Sequence, residues 1–252
     1  MHNPAYAEKD QILRRPAPAW VVPSELMFVP EDASGLIFVR RQDILVHLGE
    51  QGQEQYLGYR FKILHPNALQ LGNVSLRWNP TSGVPMVHGI KIYREGETID
   101  VLQTVSFEIL RREDQLEAAI LDGYLTGVLR ISDLRVGDEL EVGVTIPVSD
   151  PTLGKNDAGF LLLGPDPAPG RYRFGLSWDK SRKPNLKMTQ DIVAIAERKD
   201  REVGFRFDNP PILMPPKDAP ARFQWQRTLE YSDFPDWEAI SRHFAPLFAK
   251  AA

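Results

Sequence analysis

The 252-residue sequence contains no cysteine, and that absence removes disulfides, thiolate metal sites and thiol nucleophiles together. Long apolar runs are also missing: no window nears the roughly 18 consecutive apolar residues that a membrane-crossing helix needs. Nor is there an excess of positive charge. The formal net charge is −4, which argues against general nucleic-acid binding, because that requires a basic face to displace counterions from phosphates. Residues 1–20 have no apolar segment behind a basic one, so they do not read as a secretory signal. Repeats at a solenoid period are lacking as well. What remains is an ordinary globular composition, 42% hydrophobic and 25% charged, enough for a sizeable core.

Within that composition, period-2 alternation dominates. Residues 1–34 carry Pro16, Pro18, Pro23 and Pro30, which block helix and suit an extended arm pinned by Trp20. Residues 36–48 and 55–64 flank a turn at Glu50–Gln53 and predict a hairpin. Its second strand sets Tyr59, Phe61 and Ile63 on one face and Arg60, Lys62 and Leu64 on the other. Residues 74–78 predict a strand stopped at Asn79-Pro80, and 89–102 a hairpin turning at Arg94–Glu97, where Gly96 suits positive φ. Residues 106–121 are rich in helix formers and predict a short helix or helical turn.

Residues 124–131 and 138–148 predict paired strands joined through 132–137, with Leu140, Val142, Val144 and Ile146 inward and Pro147 marking a sheet edge. Further strands are expected at 160–163, 171–179, 192–196, 202–207 and 223–231, the last with Phe223, Trp225, Arg227 and Leu229 on one face. The end differs in kind. Ser232-Asp233 suits the cap of a helix starting near Pro235, along which Trp237, Ile240, Phe244, Leu247 and Phe248 make an apolar stripe that Pro246 should distort or shorten. The expected fold is mainly β, a large antiparallel β-sandwich with a short C-terminal helix. It divides into an N-terminal arm (1–34), a sandwich domain (35–231) and a helix (232–252) leading toward a further domain.

Candidate chemistry is thin. None of the five histidines accompanies a G-x-S-x-G elbow, and His2, His47, His65, His88 and His243 read as structural or surface groups. No H-E-x-x-H or EF-hand loop is present; Asp150, Asn156 and Asp157 could touch a cation but read better as a solvated turn. Glu139 and Glu141 project to one face, where their expected role is to keep it wet. Paired carboxylates drawn from distant strands leave no sequence signature, so hydrolysis by scattered acids is neither supported nor excluded. Arg40-Arg41, Arg111-Arg112 and Arg198-Lys199 lie next to acids and suit salt bridges. Trp78, Trp178 and Trp225 suit a core better than a carbohydrate platform. The residues therefore predict no catalytic, cofactor or metal site.

Four segments in order carry a resemblance: APAWVVP at 17–23, FVRRQDILVHL with YLGYRFKIL, LRVGDELEVGVTI, and WQRTLEYSDFPDWEAISRHF. The third is the most telling, a strand–turn–strand in which Val136, Gly137, Asp138, Glu139 and Leu140 set Gly-Asp before an acidic, alternating strand. Together the chain resembles the domain of unknown function 3857, a β-rich module preceding a transglutaminase-like domain in many bacterial proteins. The resemblance implies a non-catalytic N-terminal module that orients a catalytic domain or binds its substrate or partner. In that family a Cys, His and Asp arrangement in the following domain acts on amide bonds, and none of it maps onto this cysteine-free chain. It further implies a periplasmic or cell-envelope location. The partner implied is the transglutaminase-like domain of the same polypeptide, met through Trp237, Ile240 and Phe244, with a cell-envelope protein or peptide as a further one. A stand-alone sandwich binding a cell-envelope carbohydrate or protein is the other reading left open.

Overall fold

The alternating pattern of the sequence becomes strands throughout the computed structural model, which describes residues 11–111, 123–214, 217–220 and 227–251. In chain order the first half gives β1 (Leu13–Arg14), β2 (Ile37–Gly49), β3 (Gly52–Ile63), β4 (Asn73–Trp78), β5 (Met86–Arg94), β6 (Glu97–Asp100) and β7 (Glu108–Arg111). The second gives β8 (Leu125–Arg130), β9 (Glu139–Pro147), β10 (Ala158–Leu162), β11 (Gly170–Trp178), β12 (Asn185–Met188) and a single helical turn α1 (Gln190–Val193). It closes with β13 (Glu197–Lys199), β14 (Glu202–Asp208), β15 (Thr228–Ser232) and helix α2 (Trp237–Ala251). The mainly β class and the C-terminal helix are as expected.

Among the described residues the strands form one nine-stranded sheet and two three-stranded sheets. The large sheet runs β1-β5-β9-β3-β2-β11-β14-β13, with β6 on β5. It is mixed rather than purely antiparallel: β1 joins β5, and β11 joins β2, in parallel. Directly opposed residues share a face, so the register defines an inner face of Ile44, Val46 and Leu48, of Leu57 and Phe61, of Leu140, Val142 and Val144, and of Phe174 and Leu176.

Both small sheets lie over that inner face. The sheet β4-β8-β7 brings Val74, Leu76, Trp78, Leu125 and Leu129 onto the β5-β9-β3 half. The sheet β10-β15-β12 brings Leu161, Leu229 and Tyr231 onto the β2-β11-β14 half. Two core clusters result, bridged by Ile37, which packs against both. Leu48, Ile63, Ile90, Leu140 and Leu176 are wholly buried, and each such side chain contributes roughly 1.5–3 kcal/mol.

Several local expectations give way to tertiary pairing. β8 and β9 do not pair with each other, because β8 joins β4 and β7 while β9 lies between β3 and β5, so the two face one another across the core. The turn between them is held by a charged node. Asp138, buried, accepts from Arg94 Nε and Nη2 at 2.8 Å each and from the Arg135 N–H at 2.8 Å, while Arg94 Nη1 reaches Asp133 at 2.9 Å. Gly137, at φ 95°, supplies the left-handed step that aims Asp138 inward. Pro147 does not mark an edge strand, for β9 is interior; it is the last residue of β9, beyond the end of the pairing with β5.

Residues 108–111, expected to be helical, form β7 against β8, where a ladder partner outweighs weak local propensity; residues 112–122 lie outside the described set. Residues 192–193 end α1 rather than start a strand, Ile192 being wholly buried. Of the strand expected at 223–231, residues 223–226 lie outside the described set and Thr228–Ser232 is strand. Arg227 sits just before it at φ 61°, and Phe223 and Trp225 lie outside the described residues.

The outer face of the large sheet is polar. A bulge between Val39 and Arg41 in β2 turns both Arg40 and Arg41 to that face. Arg40 pairs with Glu139 at 2.7 Å, Arg60 with Glu139 at 2.6 Å, Arg41 with Glu141 at 3.2 Å, Arg173 with Asp43 at 2.8 Å and Arg171 with Asp208 at 2.7 Å. Glu139 and Glu141 do share a face as expected, but they are ion-paired and largely covered rather than merely wet. The ring of Tyr56 lies over Gly58, where an added Cβ would meet its hydroxyl at 2.3 Å.

Candidate docking surface

The C-terminal residues leave the sheet at β15 and are anchored before the helix begins. Asp233 accepts from the Asp157 N–H at 2.8 Å, and its own N–H donates back to the Asp157 carbonyl at 3.1 Å. Arg182 sits against both carboxylates, touching Asp157 Oδ2 and lying 3.2 Å from Asp233 Oδ2, and its Nη1 donates to the Lys155 carbonyl at 2.9 Å. Burial raises the Asp233 carboxyl above the usual carboxylate range, against the opposing pull of the Asp157 N–H and Arg182.

Because Asp233 is committed to this node, it does not cap α2. The cap is Asp236, whose Oδ1 accepts from the Ala239 N–H at 2.7 Å; Ser232 Oγ accepts instead from the Phe234 N–H at 3.3 Å. Nor does Pro246 shorten the helix, which runs through it to Ala251. Position 246 is exposed, so water can serve the carbonyl that the missing N–H leaves open.

The five apolar residues of the stripe part into two groups. Ile240 and Phe244 are half-buried, and between them His243 docks the helix by meeting the Thr152 carbonyl at 2.6 Å, with its ring 5.7 Å from Phe234 and 5.1 Å from Phe244. Trp237, Leu247 and Phe248 stay outside, at 82%, 47% and 74% exposure. Beside the helix base lies a cavity of about 710 Å³ lined by Arg182, Lys183, Asn185, Asp233, Phe234 and His243 among others. The stripe read from the sequence is therefore covered along its middle turns, at Ile240 and Phe244, and open at both ends.

The remaining candidates resolve individually. His65 caps the 3₁₀ turn Pro66–Gly72 through its Nδ1. His88 bridges the Arg15 carbonyl and Thr145 Oγ1 at 2.8 Å each. Asp150 caps the turn Pro151–Leu153, away from the Arg182 pairing of Asp157, and no group of potential metal ligands occurs among the described residues. Trp78 is buried in the core as expected, and Trp178 is half-buried. His2 lies outside the described residues.

One arrangement escaped the sequence reading because it joins residues 130 positions apart. His47 Nδ1 lies 2.9 Å from Ser177 Oγ, and its Nε2 lies 3.5 Å from Asp179. The order of groups is that of an acyl-transfer triad, but the surroundings are not. Ser177 is an internal ladder residue of β11, opposite His47 on one side and Glu202 on the other, and the imidazole is covered by the Trp20 ring at 5.3 Å. Backbone N–H groups in ladders do not form an oxyanion hole.

The fold defines a class: a β-rich module in which a long mixed sheet carries two small sheets on one face and a charged outer face on the other. Residues 50–211 match the family described as a domain of unknown function with solved structure, DUF3857, and the chain belongs to that family. No curated protein matches. Among solved structures, a putative protease from Parabacteroides distasonis aligns at a TM-score of 0.62 and 15% identity, over 82% of this chain and 42% of its own, so the shared fold takes in less than half of that protein. Leukotriene A4 hydrolase from Saccharomyces cerevisiae aligns at a TM-score of only 0.37 with 11% identity, over 78% of this chain and 29% of its own, too low to carry an argument. Among the described residues no helix is long and apolar enough to cross a membrane.

Proposed function

We propose that this chain is a non-catalytic module of a longer, bacterial transglutaminase-like protein, in which it orients a following catalytic domain that acts on amide bonds through a Cys-His-Asp triad. The observation that carries the reading is α2: a 15-residue amphipathic helix, preceded by the anchored Asp233 and held near its middle by His243, presents Trp237 and Phe248 at 82% and 74% exposure. An exposed tryptophan and phenylalanine on a rigid helix are the kind of anchor that dominates protein interfaces. Family membership and the greater length of the aligned P. distasonis protein agree with a module that works beside another domain. Chemistry by this chain alone would need a nucleophile, and with no cysteine in the sequence the thioester route is closed to it. The periplasm or cell envelope is the compartment that goes with this reading.

The test uses the chain and the segment that follows it in the gene, expressed separately. Trp237→Ala with Phe248→Ala should weaken their association at least about tenfold, while the urea midpoint of the module shifts little. Equal affinity for wild type and double variant would sink the proposal, as would turnover of peptide or glutamine-donor substrates by the 252-residue chain that a point substitution within it abolishes.

A further inference from the structure

Beyond β1 the N-terminal arm leaves the sheet, and its residues 20–27 cross the outer face without joining the sheet as a strand. Between Val22 and Met27 four backbone carbonyls each receive an arginine of the sheet: Val22 from Arg173, Ser24 from Arg41 at 3.1 Å, Glu25 from Arg171 at 3.1 Å and Met27 from Arg40 at 3.1 Å. The Ser24 N–H donates to Asp43 Oδ2 at 2.9 Å, and the Met27 N–H to the Arg40 carbonyl at 2.7 Å. Each of the four guanidiniums is also held by a carboxylate: Asp43, Glu141, Asp208 and Glu139 in the same order. A guanidinium has five donors and a carboxylate occupies at most two, so the paired arginines are fixed with donors to spare.

This is a preorganised surface that reads the backbone of an extended chain and asks little of its side chains. Between Trp20 and Phe28, Trp20 stacks on His47 with the planes 16° apart and Val21, 8% exposed, packs on Leu45 and Tyr56, while Leu26 and Met27 are half-buried. Val22 and Phe28 point outward at 66% and 78% exposure. The fit is also incomplete. Ser24 Oγ is buried with no hydrogen-bond partner among the described residues, and a cavity of about 640 Å³ continues beside Trp20 and Val22 past Ser177, Asp179 and Arg201.

We infer that the outer face is a binding groove for an extended peptide carrying an aromatic–valine pair, and that residues 20–27 are its internal ligand, exchangeable for the same kind of segment supplied in trans. The inference stands on residues other than those of α2 and survives or fails independently of the docking reading. A protease recognition sequence placed in the loop at 31–34 allows the arm to be cut after folding. Uptake of a fluorescein-labelled peptide of residues 16–29 is then followed by anisotropy. Saturable uptake is expected, weakened at least about tenfold when the peptide carries Trp20→Ala and Val21→Ala. It should change less than about threefold when Ser24 and Glu25 are both alanine, since their hydrogen bonds to the sheet are made by backbone. Arg171→Ala in the protein, where the partner Asp208 is partly exposed and tolerates losing its mate, should also lower affinity. Three results would overturn the inference: no uptake by folded, cut protein; arm release only at the urea concentration of global unfolding; or unfolding on cutting, which would make the arm part of the core.

Discussion

Asp138 joins a turn read from the sequence to an ion pair formed across the fold. Burial pushes its carboxyl up, but the Arg94 guanidinium and the Arg135 N–H outweigh burial and hold it below the usual carboxylate range. A carboxylate with a depressed folded-state pKa adds stability above its unfolded pKa of about 3.9 and loses it as pH falls through the lower folded value. Urea midpoints should therefore drop below about pH 4, and Asp138→Asn should flatten that acid limb while lowering stability at pH 7. An acid limb as steep in the variant as in wild type would place the effect elsewhere. At Gly170, with φ 144°, a Cβ would sit 2.0 Å from the Val39 carbonyl oxygen, backbone that cannot step aside. Gly170→Ala should cost about 3 kcal/mol in urea denaturation through combined strain and overlap. Sequence reading caught Gly137-Asp138 as a turn before a strand. It could not name Arg94, 44 residues away, as the partner, because local pattern contains no term for a long-range ion pair.

At the scale of elements, legibility followed burial on one side. β2, β3, β9 and β11 alternate because one face is core, and their bounds were readable within one residue except at the start of β3, which lies at Gly52 inside the expected turn. What could not be read was partnership: β8 and β9 are consecutive and both alternate, yet they belong to different sheets. The helix α2 was readable from its stripe, but the cap was not, since the choice between Asp233 and Asp236 rests on Arg182 claiming the former. Asp236→Ala should cost α2 about 1 kcal/mol, seen as faster amide exchange in its first turns with the global urea midpoint nearly unchanged. The apolar stripe was legible as a pattern, and all five residues sit on the helix, but the sequence held no sign of His243 meeting Thr152 and Phe234, the contacts beside which Ile240 and Phe244 are half-buried while Trp237 and Phe248 stay exposed.

On the inner face of the large sheet two core clusters lie side by side and meet at Ile37. The seam between their halves is the β2–β3 hairpin, paired continuously from Ile37–Ile63 to Gly49–Gly52 apart from the bulge at Arg40. Cooperativity should pass through that ladder. Leu140→Ala in one cluster and Leu176→Ala in the other should each cost about 2–5 kcal/mol and lower the same single transition, monitored by tryptophan fluorescence and far-ultraviolet circular dichroism. Two separated transitions in either variant would mean that the halves fold as independent units.

The parallel union of β2 with β11 has a consequence during synthesis. The hairpin β2–β3 is complete early, but the strand that covers the other edge of β2 arrives 130 residues later, roughly 6–26 s at ribosomal speeds of about 5–20 residues per second. For that interval a long apolar strand has an open edge, the template on which nascent chains aggregate. The two arginines turned out by the bulge and the aspartate that follows them punctuate that edge with charge. The residues that later grip the arm can thus first keep neighbouring nascent chains apart.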